Sequence, residues 1–324
     1  MTNDDRIRNL QTFGYTQTEA AFLCLAALQS GHFMRRQYYE FTGHGKGGGD
    51  SRLAEKVTQN QHATPTAYRF NRVVYHLSSK PFYAALGEED NRNRRTCQPY
   101  TIRHKLMTLD FVLSQPQCRF LATIKERFEY FQTLACPTES LPMRAYLSND
   151  GKSQTPSYFV DKSPIFLDPS LPAPVVSFAY INDGDFAYHD FRAYLNQYQD
   201  LFRAVPEFRL VFAGRDQKVA QKAARQFNKF LGSDDGSAHH LLIYFHDRNA
   251  FENRQTRGWD KARIDRFRDD RDRFSAPKYD VLFARWRAEG DGAVTSTGRL
   301  NGTFETALIR HNYDLFGGKY RAAS

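Results

Sequence analysis

Apolar positions recur at a helical period along the first third of the chain, then give way to two short β-like runs. The first strong helix follows Gly14-Tyr15, where Thr16 and Glu19 have the spacing of a capping box, each side chain satisfying an orphan backbone N–H. Ala20 to Leu28 is apolar nearly all round, which marks a buried helix, and Ser30-Gly31 closes it as a glycine cap. The basic-aromatic segment Phe33 to Phe41 is long enough for two helical turns, and Thr42 to Gly49 breaks regular structure. Asp50 or Ser51 can cap a helix over Arg52 to Asn60, with Leu53 and Val57 inward and Ser51, Arg52, Glu55, Lys56, Gln59 and Asn60 outward. Thr66–Tyr68 and Val73–Leu77 read as strands, joined by Arg69-Phe70-Asn71-Arg72 as a hairpin connection. A brief helix over Pro81 to Leu86 and a polar loop lead to a helix carrying Ile102, Leu106, Leu109 and Leu113 on one face. This order of elements predicts a winged helix-turn-helix domain.

After Pro116 the pattern becomes α/β. Cys118–Ala122 reads as a strand, and Thr123 with Glu126 caps a helix running to Leu134. Met143–Leu147 and Ser157–Asp161 read as a strand pair, and Ile165–Leu167 as a short apolar run. Pro174–Ile181 is a buried strand, followed by a helix with Phe191, Leu195, Tyr198 and Phe202 on one side. Phe208–Ala213 is the next strand, and Val219, Ala223, Phe227 and Phe230 mark the next helix. Strand, helix and strand at this spacing imply a parallel pair with a crossover. From Ser237 the pattern is helical to Glu289, and Arg257 to Arg273 alternates acids and bases as a solvated, ion-paired helix does. The fold class expected is α+β: a winged helix-turn-helix domain over 1–115, an α/β mixed-sheet domain over 116–235, and a helical C-terminal extension over 236–324.

Composition sharpens the picture only in places. The 324 residues and 41% apolar content fit a folded chain of more than one domain. No apolar run is long enough for a membrane span, and the polar, acidic Met1–Asp5 is unlike a secretory signal, so the expected location is cytoplasmic. Cys24, Cys97, Cys118 and Cys136 are scattered without C-x-x-C spacing, no His pair has H-x-x-x-H spacing, and no serine sits in G-x-S-x-G. No metal, cofactor or catalytic residue is therefore assigned. The net charge is +9, and residues 1–114 hold 15 Lys and Arg against 10 Asp and Glu, so positive charge is denser at the front. A basic balance favours phosphate-rich partners.

The candidate DNA contacts cluster on the predicted motif. Arg52, Gln59 and Asn60, with Ser51 beside them, suit base edges, since Arg pairs bidentately with guanine and Gln or Asn with adenine. Arg35, Arg36 and Lys56 suit phosphates, which fix register without reading sequence. Arg69, Asn71 and Arg72 sit where a wing touches the backbone or the minor groove. Gly43-His44-Gly45-Lys46 lacks the Ser or Thr after lysine that a phosphate loop needs, so Lys46 is read as part of a basic loop near the DNA.

Tyr15-Thr16-Gln17-Thr18-Glu19-Ala20, Tyr158-Phe159-Val160-Asp161, the strand Val175–Ile181 and Tyr194-Leu195-Asn196-Gln197-Tyr198 carry a resemblance over residues 14–231. The chain resembles the replication-relaxation and relaxosome-accessory proteins of plasmids and other mobile elements. That resemblance implies a winged helix joined to a restriction-endonuclease-like domain. Active enzymes of that fold pair an Asp with an E-x-K or D-x-K triplet that holds magnesium. Asp161 resembles the Asp, but Ser177-Phe178-Ala179-Tyr180 stands where the triplet belongs, and Asp183 and Asp185 follow the strand. The expectation is a sequence-specific double-stranded DNA-binding protein and no enzyme, a homodimer regulating transcription or transfer of a mobile element, with a relaxase or the transcription machinery as further partners. The alternatives are a metal-dependent nuclease using Asp161 with Asp183 or Asp185, and a relaxosome accessory that tethers a partner to DNA.

Overall fold

The computed structural model describes residues 1–43, 49–147, 154–161, 163–171, 175–184, 188–232, 234–275, 277–295, 300–311 and 313. Its architecture is mixed α+β. The chain opens with α1 (Asn3–Gln11) and α2 (Gln17–Gln29), each started by a capping box, Thr2 with Asp5 and Thr16 with Glu19. Gly31, at φ 74°, turns the chain out of α2, and a Cβ there would stand 2.7 Å from the Asn93 Cβ and carbonyl oxygen, so glycine is required. Next come β1 (His32–Phe33), α3 (Arg35–Thr42) and α4 (Gly49–Gln59), then the hairpin of β2 (Ala63–Tyr68) and β3 (Arg72–Leu77). The strands form an antiparallel sheet in the order β1-β3-β2. That leaves β2 at the edge, where Pro65 removes no needed donor.

α5 (Lys80–Ala85) and α6 (Pro99–Leu113) complete the front half. α6 is buried on two sides. Leu109 joins a core with Leu10, Phe22, Leu53, Val57 and Phe82. Leu106, Met107, Phe111 and Val112 instead pack in one cluster with Phe166, Ala179 and Val211 of the second half. The expected boundary after residue 115 is therefore bridged by continuous apolar packing.

The second half runs β4 (Arg119–Phe120), α7 (Ile124–Thr133), a separate antiparallel hairpin β5 (Met143–Leu147) and β6 (Gln154–Tyr158), then β7 (Ile165–Leu167) and β8 (Val176–Ile181). α8 (Tyr188–Ala204) crosses from β8 to β9 (Phe208–Gly214), and α9 (Gln217–Gly232) follows. The predicted strand over Ser157–Asp161 is displaced: β6 ends at Tyr158 and Asp161 lies in the turn beyond it. α10 (Asp234–Glu252), α11 (Lys261–Arg273), α12 (Pro277–Glu289) and α13 (Gly292–Thr295) pack around Tyr244, Phe245, Phe267 and Trp286. The chain then returns as β10 (Gly302–Leu308).

The main sheet has the order β10-β9-β8-β7-β4, with β8, β9 and β10 parallel and β7 antiparallel to both β4 and β8. The expected helical extension over 236–324 is thus an insertion between two neighbouring strands, because Gly302–Leu308 pairs with Phe208–Gly214 along its whole length. One polar seam crosses the sheet. Arg209 of β9, buried, donates to Ser177 Oγ of β8 at 3.0 Å and Asp168 at 3.0 Å, and reaches Glu305 of β10 at 3.3 Å. Among the described residues no helix is long and apolar enough to cross a membrane.

Candidate nucleic-acid interface

α4 buries Leu53, Ala54 and Val57 and turns Arg52, Glu55 and Gln59 outward. The spacing of i, i+3 and i+7 puts those three side chains on one exposed face. Arg52 and Gln59 thus stand where the sequence predicts them, with Glu55 between. A carboxylate suits the cytosine amine as Arg suits guanine, so this face carries three different base-edge chemistries. Ser51 lies within α4, which starts at Gly49, and so does not cap it. Its side chain and all of Lys46 lie outside the described residues.

Lys56, Asn60 and Arg36, all expected DNA contacts, have their polar groups turned onto other parts of the protein. Lys56 Nζ meets Glu19 Oε2 at 2.6 Å and the Gly14 carbonyl at 3.3 Å, and stands 5.7 Å from the Tyr15 ring centroid. Its ammonium ties α4 to the start of α2 rather than pointing away as a phosphate ligand. Asn60, just past α4, donates from Nδ2 to the Phe13 carbonyl at 3.2 Å. Beside it the Tyr15 hydroxyl and His62 Nδ1 are 2.7 Å apart, and burial pushes the Tyr15 pKa up to about 12. These contacts fix the C-terminal end of α4 against the loop between α1 and α2.

Arg36 is the clearest departure. Its guanidinium makes a two-pronged pair with Asp110 of α6, both bonds 2.9 Å, and reaches Glu40 at 3.1 Å and the Tyr313 hydroxyl. Burial opposes its charge, but the hydrogen bonds to Asp110, with Tyr313 and Glu40 nearby, hold the pKa above the ordinary arginine value. Gln37 Nε2 also donates to Asp110, at 2.6 Å, and the Tyr313 hydroxyl donates to its other oxygen at 2.5 Å. His311 lies 2.7 Å from Glu40. α3 is therefore wired to α6 and to the segment after β10, while Arg35, the residue before Arg36, is exposed.

The hairpin tip brings Arg69, Asn71 and Arg72 together at the surface, all exposed. The Arg72 N–H donates to the Arg69 carbonyl, closing a turn whose two central residues, Phe70 (φ 61°) and Asn71 (φ 52°), are left-handed. Asn tolerates that conformation well, whereas phenylalanine does not. Phe70 is also 76% exposed, a feature absent from the expected contact set.

In the second half, the Asp161 carboxylate accepts from the Tyr198 hydroxyl at 2.8 Å and from the Ser163 N–H at 3.1 Å through the same oxygen. Burial pushes its pKa up against those bonds and the nearby Arg127 and Arg144. Ser177, within the segment that replaces the expected triplet, receives Arg209, and Asp183 pairs with Arg103 at 3.4 Å. Asp185 lies outside the described residues. Among the described residues no three His, Cys, Asp or Glu side chains are grouped so as to hold a metal ion. No family model matches the chain, no curated protein matches it, and no solved structure does.

Proposed function

We propose that this protein binds double-stranded DNA in a sequence-specific manner through a winged helix-turn-helix in its front half. In this reading α4 is the recognition helix and β2–β3 the wing. The observation that carries it is the joint exposure of Arg52, Glu55 and Gln59 along one face of α4 and of Arg69 and Arg72 at the tip of the neighbouring hairpin. The element order and the β1-β3-β2 sheet are those such a domain needs. Arg52 and Gln59 read base edges in the major groove, while Arg35, Arg69 and Arg72 hold backbone phosphates. Lys56, Arg36 and Asn60 serve instead to position α3 and α4.

The α/β half acts as a platform that does not cut DNA and that joins two copies on a two-fold operator, as a homodimer. Support comes from Asp161, whose described contacts are those of a turn residue locked to α8. Regulation of transcription or transfer in a plasmid or other mobile element is the role the family resemblance favours. Selection of bound duplexes from a random library with the full chain, followed by footprinting with magnesium or manganese present, tests the whole reading. It predicts one enriched motif and protection without cleavage. Recovery of no motif contradicts sequence reading, and metal-dependent nicking lost in Asp161→Asn contradicts the non-cutting platform.

A further inference from the structure

The least explained residue of the front half is Phe70. Its ring is 76% exposed, so it adds nothing to the core, and its backbone stands at φ 61° and ψ 33°. A phenylalanine there is strained by contact of its Cβ with the backbone, while glycine or asparagine is at ease. Folding is thus served by neither the side chain nor the backbone of this residue. Arg69 and Arg72 flank it, both exposed, on a protein of net charge +9. An apolar ring between two cations, at the tip of a two-stranded projection, has the chemistry of a probe for a polyanion with apolar base faces inside.

We propose that Phe70 is a wedge that enters the minor groove and partly separates one base step when the protein is bound to duplex DNA. This rests on the DNA-binding reading above. Arg69 and Arg72 hold the phosphates on either side, so the ring is delivered to the groove between them. Apolar wedges of this kind unstack a step and bend the duplex toward the major groove at that step, away from the inserted ring. Pyrimidine–purine steps unstack most easily, so the wedge also adds a preference for such a step at a position that no hydrogen bond reads.

The test uses the full chain and a duplex selected from random sequence by that chain, with 2-aminopurine placed at each step of the protected minor groove and a dye at each end. Wild type is expected to raise 2-aminopurine fluorescence at one step and to shorten the end-to-end distance. Phe70→Asn is expected to melt at or above the wild-type temperature, to bind roughly tenfold more weakly and to lose both signals. Phe70→Trp is expected to keep both. If Phe70→Asn matches wild type in affinity, fluorescence and bend, the wedge is refuted while DNA binding stands. If wild type binds no duplex even at low salt, the DNA-binding reading falls and the wedge falls with it.

Discussion

Arg36→Ala separates the two roles that this residue could have. In the structure its guanidinium satisfies both oxygens of Asp110, a carboxylate whose side chain is only 6% exposed. Removing one partner of a buried pair leaves a buried charge and costs about 3–5 kcal/mol. Here Asp110 keeps the Gln37 amide and the Tyr313 hydroxyl, and the Arg36 side chain is 22% exposed, so water reaches the site. The expected loss is therefore smaller, about 2–3 kcal/mol. For a chain of 324 residues that lowers the melting temperature by roughly 3–4 °C. Arg36→Lys keeps the charge but loses the fork and should fall between the two. The assays are thermal unfolding and the dependence of duplex affinity on salt. A phosphate contact contributes about one unit to the log–log salt slope, and the structure predicts that this slope does not change. An Arg36→Ala protein that melts like wild type but loses one unit of slope would refute the assignment.

Arg209→Met removes the cation beside the Asp168 carboxylate, which keeps the Ser170 N–H and hydroxyl, and should cost about 2–3 kcal/mol in urea unfolding, whereas Arg209→Met with Asp168→Leu should recover most of that; a single variant within about 0.5 kcal/mol of wild type contradicts the seam. Burial, helped by stacked His76 and by Lys105, pushes the His32 pKa down to about 3, so the folded chain refuses a proton that the unfolded chain accepts below about pH 6.5. Stability contributed by neutral His32 is complete above that pH and is lost on acidification at up to about 1.4 kcal/mol per pH unit until about pH 3. His32→Phe should flatten the urea midpoint against pH between about pH 6 and 4, and an unchanged slope contradicts the assignment. A fragment ending at Ser114 uncovers Leu106, Met107, Phe111 and Val112 of α6, on the order of 6–12 kcal/mol of apolar burial, and should aggregate; a monomeric fragment with a cooperative transition contradicts the shared core.

Local signals in the sequence were readable because their partners lie within a few residues. The Thr16–Glu19 and Thr123–Glu126 capping boxes form as their spacing predicts. The hairpin turn at Arg69–Arg72 and the buried faces of α8 and α9 follow their own periodicities in the same way. What was not readable depends on distant pairing. β10 is an edge strand whose alternation includes Thr303, Glu305 and Thr306, and its partner β9 lies beyond a whole helical insertion. Arg209 sits in a strand that reads as apolar, and only Ser177 and Glu305 on the two flanking strands and Asp168 just past β7 explain it. At the candidate interface, helical spacing was enough to find the exposed Arg52 and Gln59. Arg36 and Lys56 have equally basic side chains, but Asp110 and Glu19, far away in the chain, claim them. Phe70 was legible as part of a turn, yet its exposure and left-handed backbone were not.

The most direct test of the account is a pair of affinities for Arg52→Ala, one on the selected duplex and one on random duplex of equal length at the same salt. Losing a bidentate guanine contact costs roughly 1–3 kcal/mol on the cognate site and little elsewhere. With α4 reading sequence, cognate affinity weakens by about 5- to 150-fold, with random-duplex affinity within about threefold of wild type. Equal losses on both duplexes, or no loss on either, would contradict α4 as the helix that reads sequence.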